Sequence, residues 1–160
     1  MRGIIYFGVF FLAACSAARP NDAELITKFR ENKARFESLR AFAVADLGNG
    51  VSRIEAGNIP KFLSGQHQTA YASGFNDLGI ENIVSYNDRT NGKTFVRFAF
   101  GVVGIAPSGS MKTIEWTNAK PHPIVGSLDP PYAKKGYVTD TWFNAYRPIG
   151  EGWYLHLSAD

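Results

Sequence analysis

A single cysteine, Cys15, occurs among 160 residues, which excludes an internal disulfide framework and any cysteine-rich zinc site. The three histidines, His67, His122 and His156, lie far apart with no HxxxH pair, so no metal signature is present. No Gly-x-Ser-x-Gly elbow marks a nucleophilic serine. The stretch Gly101-Val102-Val103-Gly104 followed by Lys112-Thr113 fails as a phosphate loop, because no glycine directly precedes the lysine. No cofactor motif remains. Charged residues make up only 19% of the chain, and 17 basic side chains against 14 acidic ones leave a formal +3. So small an excess is no nucleic-acid footprint. Internal repeats and low-complexity tracts are also missing. The one apolar run, residues 4–14, rises about 1.5 Å per residue as a helix, roughly half of a hydrocarbon core.

What is present is a core. With 45% hydrophobic and 14% aromatic residues, the chain is expected to fold as one domain by burying apolar surface. Its N-terminus has signal-peptide order: Arg2, then the apolar run, then small residues. The run ends in Leu12-Ala13-Ala14-Cys15, which resembles the lipobox of a bacterial lipoprotein. The resemblance implies cleavage before Cys15, a diacylglycerol on its thiol and a fatty acyl chain such as palmitate on its new amino group. Several acyl chains, at about 0.8 kcal/mol per buried methylene, hold a protein on a membrane durably. By likeness to lipoprotein sorting rules, Ser16 after the cysteine implies the outer membrane, facing the periplasm. The expected organisation is a signal peptide over residues 1–14, the lipidated cysteine with a short tether over 15–21, and a single α+β domain over 22–160.

Asn21 and Glu24 have capping-box spacing. Leu25, Phe29, Phe36, Leu39 and Ala43 then share one helical face, with polar Asn32 in the gap, and Gly48-Asn49-Gly50 closes the segment. Glu24/Lys28 and Glu31/Arg35 are spaced as i,i+4 pairs on the solvated face. A short strand is expected over residues 51–55, a loop over 57–65 and a second helix over 67–78, where Tyr71, Phe75 and Leu78 precede Gly79. Residues 80–86 and 93–101 read as a hairpin, in which Val96, Phe98 and Phe100 alternate with Phe95, Arg97 and Ala99. Residues 102–106 and 111–117 read as another hairpin about the turn at 107–110. A proline-bearing loop, 118–136, leads to a last hairpin, 142–149 with 153–157, about Gly150-Glu151-Gly152. Trp153, Leu155 and Leu157 share one face of the final strand and are assigned to the core. Helices first and hairpins afterwards predict an α+β domain, with one or two N-terminal helices packed on an antiparallel sheet. The order, with Phe29 to Phe36 and Gly152-Trp153-Tyr154-Leu155, resembles small envelope lipoproteins, a diffuse group that includes immunity proteins and inhibitors of cell-wall lytic enzymes.

The three histidines are expected to be ordinary surface or sheet residues, and Glu55, Asp77, Glu81, Asp88, Glu115 and Asp140 to be mostly exposed. Catalytic residues are expected to be none. The leading expectation is a non-enzymatic, membrane-anchored lipoprotein that binds another protein through exposed loops. Ser108, Ser110 and Lys112 on a protruding turn, and Lys134 and Lys135 by the proline-bearing loop, are the candidate partner-binding residues. The competing class is an envelope hydrolase or small-ligand carrier, which needs a deep pocket with convergent polar groups.

Overall fold

The computed structural model describes residues 20–48, 50–88, 90–103, 110–129 and 143–159. Cys15, Ser108, Lys134 and Lys135 lie outside the described residues. The element order is α1 (Asp22–Glu31), α2 (Lys33–Leu47), β1 (Arg53–Glu55), α3 (Gly65–Leu78), β2 (Asn82–Asp88), β3 (Lys93–Val103), β4 (Ser110–Thr117), β5 (Phe143–Gly150) and β6 (Trp153–Ala159). The fold is α+β. Six strands form one antiparallel sheet in the order β1-β2-β3-β4-β6-β5.

Helix α1 starts at the expected capping box. Asn21 Oδ1 accepts from the Glu24 amide at 2.9 Å, and Glu24 Oε2 accepts from the Asn21 amide at 3.0 Å. The expected single long helix is two helices. The break is Asn32, whose side chain donates to the Lys28 carbonyl at 3.0 Å while its own carbonyl receives the Arg35 and Phe36 amides. A side chain bonding to its local backbone offers an alternative to the helical ladder, and here Asn32, at φ −120° and ψ 21°, separates the two helices. The expected i,i+4 charge pairs are displaced by this geometry. Lys28 Nζ donates to the Leu78 carbonyl at 2.7 Å, and Arg35 pairs with Asp77 of α3. Helix α3 ends at Gly79 in the left-handed region, φ 66°, where a side chain would be strained.

The helices bury their apolar stripes on one sheet face. Cross-strand rows on that face run Ile83, Phe98, Ile114, Leu155 and Ser85, Val96, Trp116, Trp153. Phe36 sits at the centre, 5.3 Å from Phe98, edge to face, and 6.1 Å from Trp153, while Phe29 is 5.0 Å from Trp153. These are favourable aromatic geometries. Trp153, Leu155 and Leu157 are all buried, as their alternation predicted. The indole N–H of Trp153 is satisfied by Glu37 Oε1 at 2.8 Å.

The final strand is not at the edge of a simple meander. β6 inserts between β4 and β5, so the last hairpin pairs through its second strand with β4, a strand laid down about forty residues earlier. Strand β3 is also continuous through residue 103 and pairs with β4 from Phe95 to Val103, interrupted by one irregularity after Ala99. The expected hairpin about residues 107–110 is the far end of that longer pairing.

Candidate functional site

Strand β4 carries polar chemistry at both ends and on both faces. At its first end, Lys112 alternates with Ile114 and Trp116 and so points to the helix side of the sheet. There it is 1% exposed. Its ammonium donates to Asp22 Oδ1 at 2.8 Å and Asp129 Oδ1 at 2.6 Å. Asp22, equally buried, also receives Arg147 Nη1 at 2.8 Å, the Leu128 amide at 2.7 Å and the Ser127 hydroxyl at 3.1 Å. Burial works against the Asp22 carboxylate, but the bonds from Lys112, Leu128 and Arg147 outweigh it and hold its pKa below the ordinary value. The expectation that Lys112 protrudes toward a partner is therefore corrected: its ammonium is spent inside the domain. Ser110 lies in β4, paired with Val103 on one side and Ala159 on the other, rather than at the tip of a turn.

The opposite sheet face holds a second cluster. Arg97 Nε donates to Glu115 Oε2 at 2.8 Å. His156 Nδ1 lies 3.2 Å from the same oxygen, at ion-pair distance but without hydrogen-bond alignment. His156 Nε2 is 2.9 Å from Asn144 Oδ1, and Tyr146 stacks on the imidazole at 4.5 Å. Glu115 and His156 are buried, which corrects the assignment of Glu115 to an exposed position, while His156 is a residue of the sheet. Burial pushes His156 below its ordinary pKa despite Glu115. Glu115 also sits low, because His156 and Arg97 outweigh its burial. Tyr146, half-buried beside Glu115, is pushed up to about 12. Thr113 is the cross-strand neighbour of His156, yet its hydroxyl makes no hydrogen bond among the described residues. The nucleophile-to-base contact that a catalytic triad needs is not made there.

A third pairing joins the helices. His67 Nδ1 is 2.9 Å from Asp46 Oδ1, and the Tyr71 hydroxyl donates to Asp46 Oδ2 at 2.6 Å. Phe42 packs on the imidazole at 4.2 Å. Burial and the Asp46 carboxylate push the Tyr71 hydroxyl upward. Among the described residues no group of three His, Cys, Asp or Glu could hold a metal ion, and no helix is long and apolar enough to cross a membrane.

The cleft lies at the second end of β4. Its volume is about 540 Å³, and its walls are Lys33, Glu37 and Arg40 of α2, residues 116–120, and Glu151, Gly152 and Tyr154 of the last hairpin. That is within the range of ligand sites, roughly 300–1,000 Å³. The i, i+4, i+7 spacing of Lys33, Glu37 and Arg40 puts them on one helical ridge. Arg40 donates to Glu37 at 2.9 Å and lies 4.5 Å over the Trp116 ring. Gly152, at φ 69°, lets the hairpin close over Trp116: a Cβ there would stand 3.0 Å from Trp116 Nε1 and 3.2 Å from the Thr117 carbonyl. Asn118 is spent on Thr94 and Gly92. Among the described residues, Lys33, Lys120 and Glu151 enter no salt bridge. None of the cleft residues stood among the candidate partner-binding residues read from the sequence. The sequence signal for them is the i, i+4, i+7 spacing of Lys33, Glu37 and Arg40 on α2.

No family model, curated protein or solved structure matches this chain.

Proposed function

We propose that the protein is a lipid-anchored lipoprotein of the bacterial envelope, held through Cys15 in the outer membrane, whose domain binds a protein partner in the periplasm. The observation that carries the reading is the sequence Leu12-Ala13-Ala14-Cys15 after an apolar run too short to span. Only six residues separate Cys15 from Asp22, the first residue of α1, so an extended tether reaches about 20 Å at most. The anchor therefore enters the domain beside Lys112. The open cleft at the other end of β4 is four strand residues away along β4, from Lys112 to Trp116, about 13 Å at 3.3 Å per residue. With its buried charges at one end of β4 and unspent charges at the other, the domain offers the second end to a partner. Immunity to an antibacterial effector, or inhibition of a cell-wall lytic enzyme, is the role that the likeness to small lipoproteins adds.

The hydrolase alternative draws on the His67–Asp46 pair, whose imidazole is oriented by a buried carboxylate. Labelled palmitate tests the anchor. The wild type is expected to incorporate label and to sediment with membranes, whereas Cys15→Ser loses both. A Cys15→Ser variant that keeps the label or stays in the membrane would overturn the anchor assignment. Turnover of a cell-wall or ester substrate by the purified full chain, abolished by His67→Ala, would replace binding with hydrolysis.

A further inference from the structure

We propose that the cleft between α2, residues 116–120 and the β5–β6 turn binds an acidic peptide segment of the protein partner, an assignment that rests on the protein-binding reading. The unspent groups there are mostly donors. Lys33 and Lys120 bring ammonium groups that enter no salt bridge among the described residues; of the two lining carboxylates, Glu37 is taken by Arg40 and Trp153, and Glu151 enters no salt bridge. Arg40 is held in place by Glu37 and by the Trp116 ring. Its guanidinium has five N–H donors, of which the bond to Glu37 takes one. No bond from Trp116 Nε1 is made among the described residues, and the indole borders the same space. A donor-rich site is matched by a ligand rich in acceptors and negative charge.

The aromatic geometry favours a peptide over a saccharide. Arg40 already lies over one face of Trp116 at 4.5 Å, which favours an acceptor-rich peptide over a sugar ring stacked there. Tyr154 is engaged edge to face with Tyr146 at 6.4 Å. The groups left to a ligand are the ammonium groups of Lys33 and Lys120 and the outer N–H groups of Arg40. Carboxylates of the peptide segment then lie between Lys33, Lys120 and the outer N–H groups of Arg40.

The test uses the full chain purified in a mild detergent and a fluorescein-labelled hexaglutamate peptide, with hexaglutamine and oligogalacturonate as comparison ligands, read by fluorescence anisotropy. Hexaglutamate is expected to bind saturably and hexaglutamine not to bind. The double variant Lys33→Glu/Lys120→Glu is expected to weaken hexaglutamate about tenfold or more, and Lys33→Ala/Lys120→Ala by less, since like charges repel where neutral groups only withdraw attraction. Added salt should weaken binding to the wild type. Failure of hexaglutamate to bind, equal binding by the charge-reversed variant, or tighter binding of oligogalacturonate through Lys33 and Lys120 would each overturn the assignment. Capture of the partner protein undiminished by Lys33→Glu/Lys120→Glu would overturn the cleft assignment and leave the protein-binding reading standing. Loss of palmitate labelling alone would overturn the anchor and leave peptide binding untouched.

Discussion

At the Lys112 end of β4 the buried charges have partners on α1, β5 and residues 127–129, whereas at the Trp116 end Lys33, Lys120 and Glu151 border open space. The two ends of one strand thus border two sets of charges, one that holds the domain together and another that is available to a ligand. Burial decides which is which. A desolvated ion is tolerated only with a full set of partners, so it serves structure. An exposed ion with no partner contributes little to stability and is free to recognise something else.

The sharpest way to break that contrast is to remove the hub of the buried set. Asp22→Ala leaves Lys112 enclosed with Asp129 alone and removes the acceptor of Arg147, Ser127 and the Leu128 amide. The expected loss is about 3–5 kcal/mol, the usual cost of leaving a buried charge without its partner. Urea unfolding followed by tryptophan fluorescence measures it. Adding Lys112→Met should restore part of the loss, with a coupling of about 1–3 kcal/mol in a double-mutant cycle. A loss below about 1 kcal/mol, with no recovery in the double variant, would mean that the cluster is not a buried structural bridge.

Local chemistry made much of the fold legible. Asn21 and Glu24 announced the start of α1, Gly79 the end of α3, and the alternation in β3 and β6 the face that meets the helices. Even the gap at Asn32 was visible as a polar residue in an apolar stripe, although its bond to the Lys28 carbonyl, which breaks the helix, was not. What escaped was long-range. Asp22 finds Lys112 across ninety residues and Leu128 across one hundred and six, and no local pattern records such a meeting. One signal was there to be read: Lys112 has the strand parity of Ile114 and Trp116, which places it on the apolar face. The parity of Thr113, Glu115 and Thr117, opposite Arg97 and His156 in register, likewise marks a polar row on the other face. The insertion of β6 between β4 and β5 sets His156 between Thr113 and Tyr146, and it depends on pairing order rather than on any residue.

Acid should act on the structural clusters in a defined order. Asp22 and Glu115 lie below ordinary values of 3.8 and 4.5, and His156 lies below 6.5. In all three cases the unfolded chain binds more protons than the folded one, so stability falls as pH falls. The first loss begins below about pH 6.5, where unfolded His156 takes up a proton that the buried imidazole resists. A second follows below about pH 4.5 and continues through the depressed folded values of Glu115 and Asp22. Asp77 is also held low by Arg35 and Ser73, but solvent screens it and its share is small. Melting temperature against pH should therefore decline on both limbs, and Glu115→Gln should flatten the lower one. A melting temperature that stays level or rises from pH 7 to pH 4 would contradict the buried placement of these groups.

The smallest expected effect is the most informative about the cleft. Lys33→Glu/Lys120→Glu changes the charge of two side chains that make no salt bridge among the described residues, so folding should shift by no more than about 0.5 kcal/mol. New contacts with Glu37 and Glu151 would be repulsive, yet these groups border solvent and their repulsion is screened at physiological salt. Urea unfolding of the variant beside the wild type measures the shift. Peptide affinity measured on the same samples should fall about tenfold, separating recognition from stability at one site. A stability loss of 2 kcal/mol or more, on the order of a core substitution, would show that Lys33 and Lys120 belong with Lys112 as structural charges, and the division between the two ends of β4 would fail.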